Sequence, residues 1–250
     1  MSTATPPMPD ATGQPALSEA QRIINTYVAP TKTFTDIRRK ASWWAPWLLI
    51  AVVGWGMTFV VGQKIGFEQV TENQMRMQPK QMDRIEKLPP AQRERQISIQ
   101  VAVTKGIAYC FPLVNLLVLT IIALVLLATA NFAAGGDLTF GRTLAVVMYA
   151  SLPGVVKALL VIVTLLAGVA PEGFTFQNPL ASNLSFLATP PGGLYALLAA
   201  FDVFTFWTLS LAAIGVSCVS KLKRGTAFAI VFGWWAVLTV IGVGFAAAFS

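Results

Sequence analysis

The chain contains no histidine, only two cysteines, and 12% charged residues where soluble proteins carry roughly 25%. Without an imidazole there is no His-based triad. Cys110 and Cys218 both lie inside apolar runs, so neither a disulfide framework nor an ordinary zinc site can be assembled. A Gly-rich phosphate loop and a serine nucleophile elbow are also missing, as is the second carboxylate that an intramembrane aspartyl protease needs at membrane depth. Basic and aromatic residues do not interleave as they would on a nucleic-acid platform. These absences remove most enzyme classes, point to no cofactor or metal, and argue against a nucleic-acid partner.

What the chain has is apolar surface: 55% of its 250 residues are hydrophobic and the mean hydropathy is +0.65. The apolar residues gather in five runs, about 44–62, 107–130, 144–169, 194–219 and 227–249. Each is close to the ~20 residues that a helix needs to cross ~30 Å of hydrocarbon. They are apolar on every face, whereas barrel strands alternate. The sequence therefore predicts an all-α polytopic membrane protein with five transmembrane helices over 43–250. The first run follows about forty polar residues with no small-residue cleavage pattern, so it is expected to remain in the mature protein.

Lys and Arg beside the runs set the orientation. Arg38, Arg39 and Lys40 precede the first, Arg142 precedes the third, and Lys221, Lys223 and Arg224 precede the fifth, while the loop from Ala170 to Gly193 has no basic residue. This predicts a cytoplasmic N-terminus and an exported C-terminus. The segment 66–105, which is then exported, is rich in basic residues diluted by acids and pulls the other way. The net charge of +7 is read as this topology signal together with attraction of Arg38, Arg39 and Lys40 to anionic headgroups, which makes them candidate membrane-surface or partner contacts.

Residues 1–16 have almost nothing to bury and are expected to form a disordered tail. Over 17–42 an amphipathic, juxtamembrane segment is expected. Ser18 and Gln21 have capping-box spacing, and Leu17, Ala20, Ile24, Tyr27 and Val28 recur at helical intervals up to Pro30. A second start is read at Thr33 with Asp36. This helix pair either reads the membrane surface or a partner, or packs under the bundle. The exported insert 66–105 is expected to be helical between its prolines, with Glu72–Arg76 and Asp83–Lys87 pairs. The later exported loop is apolar enough to lie at the interface or dip between spans, and its Asn183-Leu184-Ser185 matches a glycosylation sequon.

Two charges fall inside the predicted spans, Lys157 and Asp202. An unpaired charge there costs roughly 2.5–3.5 kcal/mol on insertion scales, so each needs a partner or a wet cavity. Counting helical rise in opposite directions along the third and fourth spans puts the two at similar depth, which predicts an ion pair. Pro153 and Tyr149 lie near the Lys157 face, with Pro153 expected to free the Tyr149 carbonyl as an acceptor, and Asn115 is at a depth to join them. Asn115, Tyr149, Pro153, Lys157 and Asp202 form a candidate intramembrane polar network, read either as interhelical glue or as a hydrophilic vestibule for a solute or proton. Gly62 and Gly66 have GxxxG spacing. The Gly141-Arg142-Thr143 and Arg224-Gly225-Thr226 starts hint at parallel hairpin repeats.

The succession APTKTF, WWAPWLL, a mixed-charge insert, DLTFGRTLAVVMYASLPG, NPLASNL, AFDVFTFWTLSLAAIGVS and KLKRGTAFAIVFGWW resembles the bacterial branch of the Yip-one domain (Yip, Ypt-interacting protein) family of integral membrane proteins. Specificity lies in the order of the motifs, above all from Phe201 to Trp235. The resemblance implies five spans with the N-terminus cytoplasmic and the C-terminus exported, in bacteria in the cytoplasmic (inner) membrane. In eukaryotic members it implies vesicle traffic, contact with prenylated Rab-type GTPases, and association with other Yip-type proteins. The Asp-Leu-Tyr-Gly-Pro motif of those members is missing here, which weighs against Rab binding. The expectation is a non-enzymatic protein that organises or binds membrane lipids, other membrane proteins or copies of itself. The alternative is a small-solute or ion permease built on the polar network.

Overall fold

The computed structural model describes residues 16–169 and 173–249, with backbone only for Phe249. The expected tail, apart from Ala16, and Glu172 lie outside the described residues. Among these residues everything regular is helical, apart from one isolated antiparallel bridge between Asn183 and Asp202.

The chain opens with a helical hairpin, α1 (Glu19–Val28) and α2 (Pro30–Ile37). Ser18 caps α1 in a full capping box with Gln21, and Pro30 starts α2 at the position where its missing N–H is not needed. The second helix therefore starts at Pro30 and not at Thr33. Thr33 lies inside α2 and donates to the Arg22 carbonyl at 2.9 Å. The buried face also differs from the one the apolar spacing suggests. Arg22 and Thr26 are buried, while Ile24 and Val28 are 60% and 75% exposed. Apolar periodicity misjudges this helix because its inward face is polar and satisfied within the hairpin.

Helix α2 lies in the core, with Phe34 and Ile37 fully buried against α8 (Phe140–Ala150) and α11 (Val203–Val219). α8 is the centre of the bundle, and every residue from Thr143 to Ala150 is buried. Gly215 makes this packing possible: a Cβ there would stand 2.5 Å from Val146 Cγ1 and 3.0 Å from the Phe34 ring. Gly215→Ala must push one of them aside, and a loss of about 1–3 kcal/mol is expected, read as a lower unfolding midpoint in detergent. Gly215→Ala with Val146→Ala should recover most of it.

Four helical segments are long and apolar enough to cross a membrane: Trp44–Lys64 (α3), Phe111–Ala133 (α7, Phe111–Ala128, with a following π-turn), Phe140–Leu166 (α8 and α9, Pro153–Leu166) and Arg224–Ala248 in α12 (Arg224–Phe249). The breaks have side-chain remedies. Pro112 cannot donate to the Ala108 carbonyl, and there α6 (Pro90–Tyr109) gives way to α7. From α3, Thr58 reaches the Ala108 carbonyl at 3.3 Å and Trp55 the Tyr109 carbonyl at 2.9 Å. Gly62 and Gly66 do not form a helix-pairing motif. Gly62 receives the Phe67 ring, and Gly66, at φ +87°, makes the turn into α4 (Phe67–Arg76).

The fourth apolar run is not the single helix that 194–219 suggests. It breaks into α10 (Gly193–Ala200) and the 17-residue α11. The cause is Asp202, whose side chain accepts from the N–H groups of Phe204 and Thr205 and so starts a new helix in place of extending the old one. The two pieces still follow α12 along its length: Gly193 lies beside Ala247, Phe201 packs edge-on to Trp235, and Phe206 sits against Phe232.

The insert 66–105 is helical, with α4, α5 (Pro79–Glu86) and α6 between its prolines, and Arg76 pairs with Glu72 at 2.6 Å. It is more than a solvated cap. Val70 of α4 joins Val61, Val161, Leu165 and Phe174 in a second small core, and Asn73 donates to the Phe174 carbonyl at 3.0 Å. The apolar loop thus turns inward beneath the insert. In the Asn183 sequon the side chain is buried, donating to Asn178 at 2.7 Å and accepting from the Ser185 N–H at 3.0 Å, so the folded chain does not present it to a glycosyl donor.

Candidate intramembrane polar site

The site is built where α10 breaks into α11. The N–H groups in the first turn of a helix have no intrahelical partners and carry the positive end of its dipole. Asp202 Oδ1 accepts two of them, from Phe204 at 2.9 Å and Thr205 at 3.1 Å. Oδ2 accepts from Lys157 Nζ on α9 at 3.0 Å and from the Ser182 hydroxyl in the loop before α10. Ser182 also accepts, through its carbonyl, from the Val203 N–H at 3.1 Å, so the loop is stitched to the break twice. Lys157 lies 5.9 Å from the centre of the Phe204 ring, close enough for a cation–π contact. A single carboxylate thus ties together α9, α11 and the loop.

The other predicted members take different places. Tyr149 does not join Lys157: its hydroxyl donates to Glu19 of α1 at 2.6 Å. The break at Ser151-Leu152 turns the chain between α8 and α9, leaving Tyr149 facing the hairpin. Pro153 opens α9, but the Tyr149 carbonyl is not left as a free acceptor, because the Leu152 N–H donates to it at 3.2 Å. The carbonyl used at this break is that of Leu152, which accepts from Tyr27 at 2.8 Å. Asn115 does not reach Asp202 either. It lines a cavity of about 170 Å³ between α3, α7 and α9, with Lys157 in the same wall, and its buried Oδ1 has no hydrogen-bond partner.

A second polar centre escapes the sequence reading. Arg22 is 1% exposed and pairs with Asp36 at 2.7 Å across the hairpin, with Glu19 3.5 Å away. Burial by itself lowers the Arg22 pKa. The hydrogen bond and charge of Asp36 more than offset it, so the guanidinium is held above its ordinary value and stays charged. The signal was available: Arg22 and Asp36 are opposite charges flanking the Pro30 turn. Burial likewise pushes the Tyr27 phenol up to about 12. Arg38, Arg39 and Lys40 follow α2 and are exposed.

Among the described residues no three His, Cys, Asp or Glu side chains gather as metal ligands. No curated protein and no solved structure matches the chain. The Yip1 domain, by contrast, matches residues 24–245, a stretch that takes in both ends of the Lys157–Asp202 bridge and nearly all of the bundle. The chain is a membrane protein with several apolar spanning helices and belongs to the Yip1 domain family.

Proposed function

We propose that this protein is a non-enzymatic scaffold of the bacterial cytoplasmic membrane, gathering other membrane proteins, copies of itself and lipids, and crossing the bilayer five times with its N-terminus cytoplasmic and its C-terminus exported. The observation that carries the reading is the occupancy of Asp202. Where a discontinuous helix of a transporter would aim its N-terminus at an anionic substrate, this one aims it at its own chain's carboxylate, already held by Lys157 and Ser182. The polar network is spent on joining helices.

Five crossings are supported by the ends of the broken span. Near its start, the preceding loop is bonded to the insert through Asn73 and Phe174. Just past its end, the Lys221 N–H donates at 2.9 Å to Asp137, which lies in the turn before α8. Those two turns lie at opposite ends of the helices between them, so α10 and α11 together traverse the bundle. α11 alone has the ~17 residues that the shortest spans use.

Photo-crosslinking residues placed at the outward-facing Leu117, Leu160 and Leu238 should give, from at least one position, a discrete adduct with a membrane protein or a second copy. Lipid adducts alone from all three would overturn the scaffold. The cavity beside Asn115 and Lys157 supports a second reading, a permease. Solute flux into proteoliposomes that disappears in Asp202→Asn would favour it.

A further inference from the structure

A buried amide oxygen with no donor is rare in a folded chain, because leaving it unpaired costs its full desolvation penalty. Asn115 carries one. Its Oδ1 is buried and unpartnered, and the residue lines the cavity of about 170 Å³ between α3, α7 and α9. The two side-chain donors in the same wall are engaged elsewhere: Ser151 donates to the Val147 carbonyl at 2.8 Å and Lys157 to Asp202 at 3.0 Å. Among the described residues, then, the chain builds a hydrogen-bond acceptor into an empty space and sets no donor of its own against it.

The space has a constructed wall and an approach. Phe111 stands one turn before Asn115 on the same face of α7. Its ring closes the cavity by lying against Gly54 of α3, where a Cβ would stand 2.3 Å from Phe111 Cε1, so only glycine lets the ring take that place. Phe111, Gly54 and Met57 also line a second cavity of about 280 Å³, whose wall includes Gln74 and Thr104 of the insert and Gln177 of the loop after α9. The Phe111 ring is therefore the partition between an outer cavity with amide and hydroxyl groups and an inner, mainly apolar one.

Size and charge narrow what fits inside. An apolar cavity of about 150 Å³ is enough for a benzene ring, and the inner walls here are Ile50, Val53, Met57, Val155 and Val161. The one charged side chain in the wall, Lys157, is already neutralised by Asp202, so the site offers an ion no net attraction. A water molecule needs about two to four polar partners, few of which these walls supply. From the orphaned acceptor and its apolar surroundings we infer a binding site for a small neutral molecule that has an apolar body of about one ring and a hydroxyl group, the hydroxyl donating to Asn115 Oδ1. The site goes beyond the scaffold reading and does not rest on it, and binding requires no flux.

The test uses the full chain purified in detergent and titrated with 4-fluorophenol or its methyl isostere 4-fluorotoluene. Binding is read by fluorine NMR and referred to the concentration of probe in the micelle. 4-Fluorophenol should bind saturably, at one site, and at least about tenfold more tightly than 4-fluorotoluene, since only the phenol satisfies the buried oxygen. Asn115→Leu should remove that preference. Should Asn115→Leu fail to fold, Ala158→Phe, which fills the cavity and leaves the acceptor in place, is read instead and should lose both probes. Equal binding of the two probes, or an unchanged preference for the phenol in folded Asn115→Leu, would overturn the site, as would wild-type binding in Ala158→Phe. No saturable binding of either probe would leave the oxygen to water and overturn it too. The crosslinking result for the scaffold is read separately, so either can fail alone.

Discussion

Asp202→Ala is expected to destabilise the bundle by about 3 kcal/mol or more, seen as a lower unfolding midpoint in detergent and reduced accumulation in the membrane. Two losses combine. Removing the carboxylate leaves Lys157 unpaired among apolar helices, for which insertion scales give about 2.5–3.5 kcal/mol, and it uncaps α11, which typically costs about 1 kcal/mol. Asn at 202 can still cap, so Asp202→Asn should be milder than Asp202→Ala by about the capping term. A charge swap is a poor test here. Lysine at 202 can meet an aspartate at 157 but cannot accept from the Phe204 and Thr205 N–H groups. The exchanged pair should therefore recover only the electrostatic part. Equal midpoints for Asp202→Ala and wild type would remove the bridge from the account.

Arg22→Ala should be at least as damaging, about 3–5 kcal/mol, because it leaves Asp36 buried with its main partner gone. The hairpin would then loosen from α8 and α11, and protease should reach the 17–42 segment in the folded protein. Replacing both charges by apolar residues of similar size, Arg22→Met with Asp36→Leu, removes the orphan and should restore much of the stability. Recovery in the double variant separates this explanation from simple loss of packing by the long Arg22 side chain. An Arg22→Ala protein as stable and as protease-resistant as wild type would show that the hairpin is held by Phe34 and Ile37 alone.

How far the sequence could be read follows from which interactions are local. Spans announce themselves because hydrocarbon demands ~20 apolar residues in a row, and the capping box at Ser18 and the helix pieces between the insert's prolines are set by neighbours three or four residues apart. The Lys157–Asp202 contact was also legible, since depth along a straight helix can be counted. What cannot be counted is the consequence of Asp202 for its own backbone: inside an apolar run it looks like a side chain within a span, whereas its stronger local tendency is to cap. The same gap hid the hairpin's true inner face. An arginine pointing inward looks like solvent exposure until Asp36 folds back over it. Helical spacing puts Tyr149 near the Lys157 face, but the turn at Ser151-Leu152 aims it toward Glu19, and nothing short of the folded hairpin shows that Glu19 is there.

The account as a whole depends on α10 and α11 crossing the membrane together, as one interrupted fourth span that Asp202 breaks and Lys157 secures. Labelling from either side of sealed vesicles tests this most directly, using single cysteines introduced at Lys40 and at Ala248 in a background with Cys110 and Cys218 replaced. The account predicts that a membrane-impermeant maleimide reaches position 40 from the cytoplasmic face and position 248 from the exported face. Labelling of both positions from one face would mean four crossings and would contradict it.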